Sequence, residues 1–366
     1  MAEKRKTHVR LALLGGALAM AAVLILSGAL VLAAAWVPIR IPHTSMPAST
    51  PRPAGTLPAK PEATATGEDH LAIRESPVVA AEVMGPGRFE YEDQLGSEVR
   101  ARMQDLRDRS AARSLARTNA ALAPFGYRLE SQFDPERNGT FYDVYHEGKD
   151  KPLLAGLASI WPVSVNASST EFVLVAEDVP GAQPPYVLVR NGQVEAWDPE
   201  PGGLLPPAYV GDALARITTT GFPTITYQVE LGDQAVQNST AVVYTGTAVA
   251  VGAYMPLRSF TTWDGHWALE VDDHLIIDGQ DIGQALRYDA AFGFTRIGEQ
   301  PFYLTKRDGQ VRISYGDQVL PNAYETVFHN QCCEASIHNV AAGPDAVWFH
   351  ALREGTWYFV EASLDE

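Results

Sequence analysis

Apolar residues are laid out in three different ways along this chain, and each layout predicts a different element. Leu11 to Trp36 is a run of 26 residues without one charged side chain. A helix needs about 20 apolar residues to cross the hydrocarbon core of a bilayer, so residues 11–36 predict a membrane span. Ala33 and Ala35 also fit a signal-peptide cleavage site. A signal core is only about 7–15 apolar residues, however, which favours a retained anchor. Residues 96–122 instead place Leu95, Val99, Met103 and Leu106 at helical spacing among charged residues, the pattern of an amphipathic helix. Ser97 is its candidate cap, Pro124 and Gly126 close it, and the helical segment is set at 91–124. From 125 to 366 the apolar residues come in short β-branched and aromatic runs separated by turn residues, the pattern of strands. Seven prolines fall between Pro38 and Pro61. Such a stretch favours extended chain and builds no core, so residues 37–90 read as a stalk.

The β-rich part carries a recurring tip. Glu147-Gly148, Asn191-Gly192, Gly232-Asp233, Asp272-Asp273, Asp308-Gly309 and Glu354-Gly355 each follow an aromatic or β-branched run. Pairs such as Asn-Gly and Asp-Gly accept positive φ at low cost and mark hairpins. The tips recur about every 40 residues, the length of one four-stranded propeller blade. In period and tip chemistry the segment resembles β-propeller repeat proteins, although no WD or kelch signature marks the units. The resemblance implies a mainly β chain: membrane helix, stalk, one amphipathic helix, then a six-unit propeller-like domain over 125–366. A β-sandwich or paired β domains would also show hairpins at regular spacing.

Charge changes the picture in two places. Lys4, Arg5, Lys6 and Arg10 stand directly before the apolar run. By the positive-inside rule, residues 1–10 are a cytoplasmic tail and the C-terminal domain is extracytoplasmic. The whole chain of 366 residues carries a net charge of −16, which repels phosphate backbones and argues against nucleic acid as a partner. Within this acidic chain, Arg100, Arg102, Arg107, Arg109, Arg113 and Arg117 make the helical segment basic. A solvated helix face is the expectation, with docking on anionic lipid as the alternative.

Candidate chemistry is sparse. No G-x-S-x-G, H-E-x-x-H, P-loop or EF-hand pattern is present. The chain's two cysteines, Cys332 and Cys333, are adjacent, so an intramolecular disulfide would be vicinal. A trans peptide spaces neighbouring Cα atoms by about 3.8 Å, shorter than the usual disulfide range of about 4.4–6.8 Å, so that bond would be strained. Its use would be local, as a rigid turn or a redox-labile switch. His329 and His338 flank the pair, but zinc sites usually separate their cysteines, and no metal or other cofactor is expected. Glu270, Asp272, Asp273, Asp278 and Asp281 form an oxygen-rich run that solvated turns explain better than calcium. Glu270 and Asp272, two apart on a strand, would share a face as an acid–base pair, with His274 beside them. Asn138, Asn166 and Asn238 begin glycosylation sequons. Tryptophan and tyrosine are assigned to core packing.

The expectation is a membrane-anchored extracytoplasmic binding or interaction module. An exported hydrolase using carboxylate and histidine chemistry, or a structural subunit of a membrane complex, are the alternatives. Catalytic and ligand-binding residues are not identified by the sequence.

Overall fold

A computed structural model describes residues 71–78, 95–178, 185–199, 205–232, 240–250, 256–331 and 333–364. The expected tail, membrane span and Pro-rich part of the stalk lie outside these residues. Among the described residues no helix is long and apolar enough to cross a membrane.

Among the described residues the chain is mainly β with one long helix. Its antiparallel strands form six successive sheets. Sheet I is built from Tyr127–Asp134, Gly139–His146 and Leu154–Leu157. Sheet II contains Ser159–Ile160, Phe172–Glu177, Tyr186–Arg190 and Gln193–Ala196, with Ser164–Val165 also on its second strand. Sheet III is Ala208–Val210, Ala213–Thr220, Thr224–Gly232 and Thr240–Val249. Sheet IV is Leu257–Trp263, His266–Val271, His274–Ile277 and Gln280–Asp281. Sheet V is Ala290–Ile297, Gln300–Arg307, Gln310–Tyr315 and Gln318–Tyr324. Sheet VI is Thr326–Val327, Ala346–Arg353, Thr356–Leu364 and Leu71–Pro77, with Ala341–Ala342 paired to Ala346–Arg353.

Five of the six tips fall in different sheets, while Gly232 ends a strand of sheet III and Asp233 lies outside the described residues. Asn191-Gly192 and Asp308-Gly309 have φ of 49° and 80°, and of 52° and 75°. Two consecutive positive φ values are what a two-residue hairpin of the favoured hand requires. In sheets I and II the tip joins the last two strands, whereas in IV, V and VI it joins earlier ones, which is why the spacing drifts.

Leu71–Pro77 corrects the stalk boundary. It lies inside the 37–90 segment, yet it is a full strand, paired from Leu71↔Leu364 to Pro77↔Tyr358. Its Glu75 is held at the junction of sheets V and VI. Arg353 donates two hydrogen bonds to its carboxylate at 2.9 and 2.6 Å, Tyr324 Oη donates one at 2.8 Å, and Asn322 another at 3.2 Å. Burial alone would raise the Glu75 carboxyl's pKa. The donors led by Arg353 outweigh it and hold the pKa below its ordinary value.

The sheets pack in sequence. Leu129 and Val144 of sheet I meet Phe172 and Leu174 of sheet II. Val173 of II meets Tyr209 and Leu214 of III. Ile217 and Val229 of III meet Trp267 and Leu269 of IV. Ala268 and Leu275 of IV meet Ala291 and Phe294 of V. Phe302 and Ile313 of V meet Phe349 and Val360 of VI. The sixth sheet then packs on helix α1, Ser97–Leu122: Val99, Met103 and Leu106 lie against Trp348, Trp357 and Phe359. At its far end, Leu122 of α1 enters the core of sheets I and II. The helix therefore bridges the last sheet to the first.

Two expectations about α1 are revised. Gly96 is its N-cap, with no side-chain cap bond, and Ser97 is its first residue. The basic face is neither simply solvated nor left for lipid. Arg102 grips the buried Glu361 through two nitrogens at 2.8 and 2.7 Å, and Arg113 and Arg117 both bond Asp345. Close approach here needs Gly343, because a Cβ at that position would lie 2.7 Å from Ser110 Cβ on the helix.

Candidate functional site

A concavity opens where sheets II, III and IV meet. It has a volume of about 590 Å³. Trp161 and Val165 come from sheet II, Tyr209 from sheet III, and Arg258, Phe260 and Trp263 from sheet IV. A second space of about 560 Å³ shares the wall formed by Trp161, Pro162, Val163 and Thr261. It continues to Thr295 and Arg296 of sheet V and to Leu115 and Thr118 of α1. First strands from several sheets thus face a common recess, partly roofed by the helix. Volume and mixed lining are those of ordinary ligand clefts, which are largely apolar with a few polar groups.

Beside the recess, three rings belong to sheet II. Trp161 follows its first strand, Tyr186 begins its third and Trp197 follows its fourth. The centroids are 5.9 Å apart for Trp161–Tyr186, 6.2 Å for Trp161–Trp197 and 5.7 Å for Tyr186–Trp197. All three rings are half-buried. Core packing, the expectation for aromatic residues, holds for the buried Trp267, Trp348 and Trp357 but does not describe this trio.

The residues singled out for chemistry are scattered into separate tasks. Cys332 lies outside the described residues, so the vicinal disulfide does too, while the backbone of Cys333 opens a short 3-10 helix, Cys333–His338. His329 and His338, considered with them for zinc, take different partners. His329 Nε2 is 3.2 Å from Glu270 Oε1 and 3.5 Å from Asp273 Oδ1, and its ring stacks on Phe292 at 4.2 Å. His338 is buried edge-on against His350, with centroids 5.0 Å apart. Burial pushes the pKa of His350 down to about 3, with the neighbouring His338 adding to the effect.

The acid–base pair of Glu270 and Asp272 does not form. Val271 ends the strand, and Asp272 sits in the turn at φ 53°, so alternation no longer puts the two on one face. Glu270 is buried and accepts from the backbone N–H groups of Gly293, at 2.8 Å, and Phe294, at 3.3 Å. Those amides lie at an irregularity in the pairing of sheet V, and the carboxylate satisfies donors the ladder leaves over. The rest of the oxygen-rich run is spent on turns. Asp278 accepts from the Trp267 N–H and bonds His266, and Asp281 caps the short helix α2, Ile282–Leu286, while meeting His274. Among the described residues no group of three His, Cys, Asp or Glu side chains is placed to hold a metal ion. The Asn166 sequon is also committed to structure: its side chain is buried and bonded to Ser168, Thr170 and Glu171.

No family model and no curated protein matches the sequence. Among solved structures, the chain is similar to the β-propeller domain of the Trilobed protease from Pyrococcus furiosus, described as having an open velcro topology. The identity is 11%, with 66% of this chain and 78% of that one covered and a TM-score of 0.34. BamB from Moraxella catarrhalis is also similar, at 10% identity, 60% and 76% coverage and a TM-score of 0.22. Scores this low leave the architecture to rest on the sheet order and packing described above.

Proposed function

We propose that the six sheets are the blades of a β-propeller, and that the chain is a membrane-anchored extracytoplasmic binding module whose ligand enters the recess at sheets II to IV. The cyclic packing supports the first part, because each sheet meets the next and α1 returns the sixth to the first. Two packed layers, as in a sandwich, would not produce that order. The apolar run of residues 11–36 and the basic residues before it support the anchor.

The observation that carries the binding reading is the recess of about 590 Å³, walled by aromatic side chains and joined to a second space by a shared wall. Glu270, the acid favoured for hydrolytic chemistry, is occupied by backbone amides and His329, so the hydrolase alternative draws nothing from it. The test is a thermal-shift screen of the full chain in detergent against saccharides and peptides, repeated with Thr261→Trp, which fills the shared wall. A ligand that raises the midpoint of the parent and not of the variant places binding in the recess. Equal shifts in both proteins place it elsewhere.

A further inference from the structure

The aromatic trio of sheet II has a geometry that narrows the binding reading, on which this inference rests. The planes of Trp161, Tyr186 and Trp197 cross at 68°, 73° and 72°, with centroids 5.7–6.2 Å apart. Three half-buried rings meeting at such angles form an aromatic corner, and a ring face attracts a cation within roughly 6 Å of its centroid. A carboxylate stands beside that corner. Glu177 pairs in register with Tyr186, and directly opposed residues project on the same face. Trp197 continues the row, since its N–H donates to the Tyr186 carbonyl at 3.1 Å. Ser159 Oγ donates to Glu177 at 2.9 Å and fixes the carboxylate's direction.

We infer that this corner binds a compact organic cation, a quaternary or methylated ammonium group. The ring faces receive the charge, and Glu177 adds a carboxylate at the rim. An unmodified lysine ammonium is more strongly hydrated and gives up more on entering an aromatic corner. Trp161 faces both the corner and the recess, so a longer ligand lying in the recess would bring its cationic end to the trio.

The test uses the full chain in detergent, titrated with choline and with its neutral isostere 3,3-dimethylbutan-1-ol, followed by tryptophan fluorescence. Choline binds saturably, and the isostere binds at least tenfold more weakly. Trp197→Ala weakens choline at least tenfold, and Glu177→Gln weakens it several-fold while leaving the melting midpoint in place. Should Trp197→Ala not fold, Trp197→Phe, which keeps a ring of lower cation affinity, takes its place and shows a smaller loss. Equal affinity for choline and the isostere overturns the inference, as does choline affinity unmoved by these variants. Trp197 does not line the recess. Failure of choline with a recess ligand still bound therefore rejects the corner alone, whereas loss of every ligand rejects the module.

Discussion

The seam between sheets V and VI and the seam between sheets II and III are built from the same kind of hairpin, yet they differ in how much they bury. At V–VI the core includes Phe302, Leu304, Ile313, Phe349 and Val360, all at 0% exposure. The Glu75–Arg353–Tyr324 cluster adds a polar tie across it. At II–III the buried set is Val173, Tyr209 and Leu214. The recess opens beside that lighter seam, with Tyr209 on its wall. The II–III junction thus buries fewer apolar side chains than V–VI does. Recognition sites are commonly set on less stable parts of a rigid scaffold.

The largest effects should expose this difference directly. Phe349→Ala removes a fully buried ring and should cost about 4 kcal/mol, against about 2 kcal/mol for Leu214→Ala at the lighter seam. Urea unfolding of the two variants checks the gap, and equal losses would break the comparison. Next, Glu75→Gln should cost about 2 kcal/mol by weakening charge-assisted bonds from Arg353. Because the folded Glu75 pKa lies below its ordinary value, its contribution is present above the unfolded pKa. It is lost as pH falls through the folded one. The variant should therefore show a shallower acid limb in melts taken over pH.

His350 sharpens the comparison in another window. Its folded pKa is near 3 against an ordinary 6.5. As pH falls between those values, the unfolded chain takes up a proton that the folded one refuses, so stability declines. The groups around it are His338, Arg107, Phe328 and Phe359. His350→Phe should remove that slope while leaving the slope from Glu75, and melts between pH 7 and pH 5 would separate them. The smallest effect is expected at the rim: Asp345→Asn removes the carboxylate that Arg113 and Arg117 bond and should cost about 0.5 kcal/mol, less in high salt.

Much of the strand layout was legible because its signals are local. An Asn-Gly or Asp-Gly pair needs no partner elsewhere to declare a turn, and the five tips that lie within the described residues each fall in their own sheet. Long-range partners leave no such mark. Leu71–Pro77 reads as part of the stalk because its ladder partner, Thr356–Leu364, is far away in sequence. The arginines of α1 read as a solvated face because Glu361 and Asp345 are hundreds of residues away. Glu270 was visible as an acid, but His329 and the Gly293 amide decide its role. The trio was hidden for a related reason. Trp161, Tyr186 and Trp197 come from separate strands, and only the pairing of sheet II assembles them.

The pairing of Leu71–Pro77 with Thr356–Leu364 also sets a timetable for biosynthesis. Leu71–Pro77 is made well before its partner Thr356–Leu364. Glu75 waits for Arg353, 278 positions later. Joining ends so far apart is entropically slow to begin, though the cost grows only logarithmically with length. Until then helix α1 lacks Trp348, Trp357 and Phe359, and its apolar stripe stays uncovered. A nascent chain stalled before residue 356 should thus be held by chaperones and cut readily by protease, whereas emergence of Thr356–Leu364 should bring protection in one step.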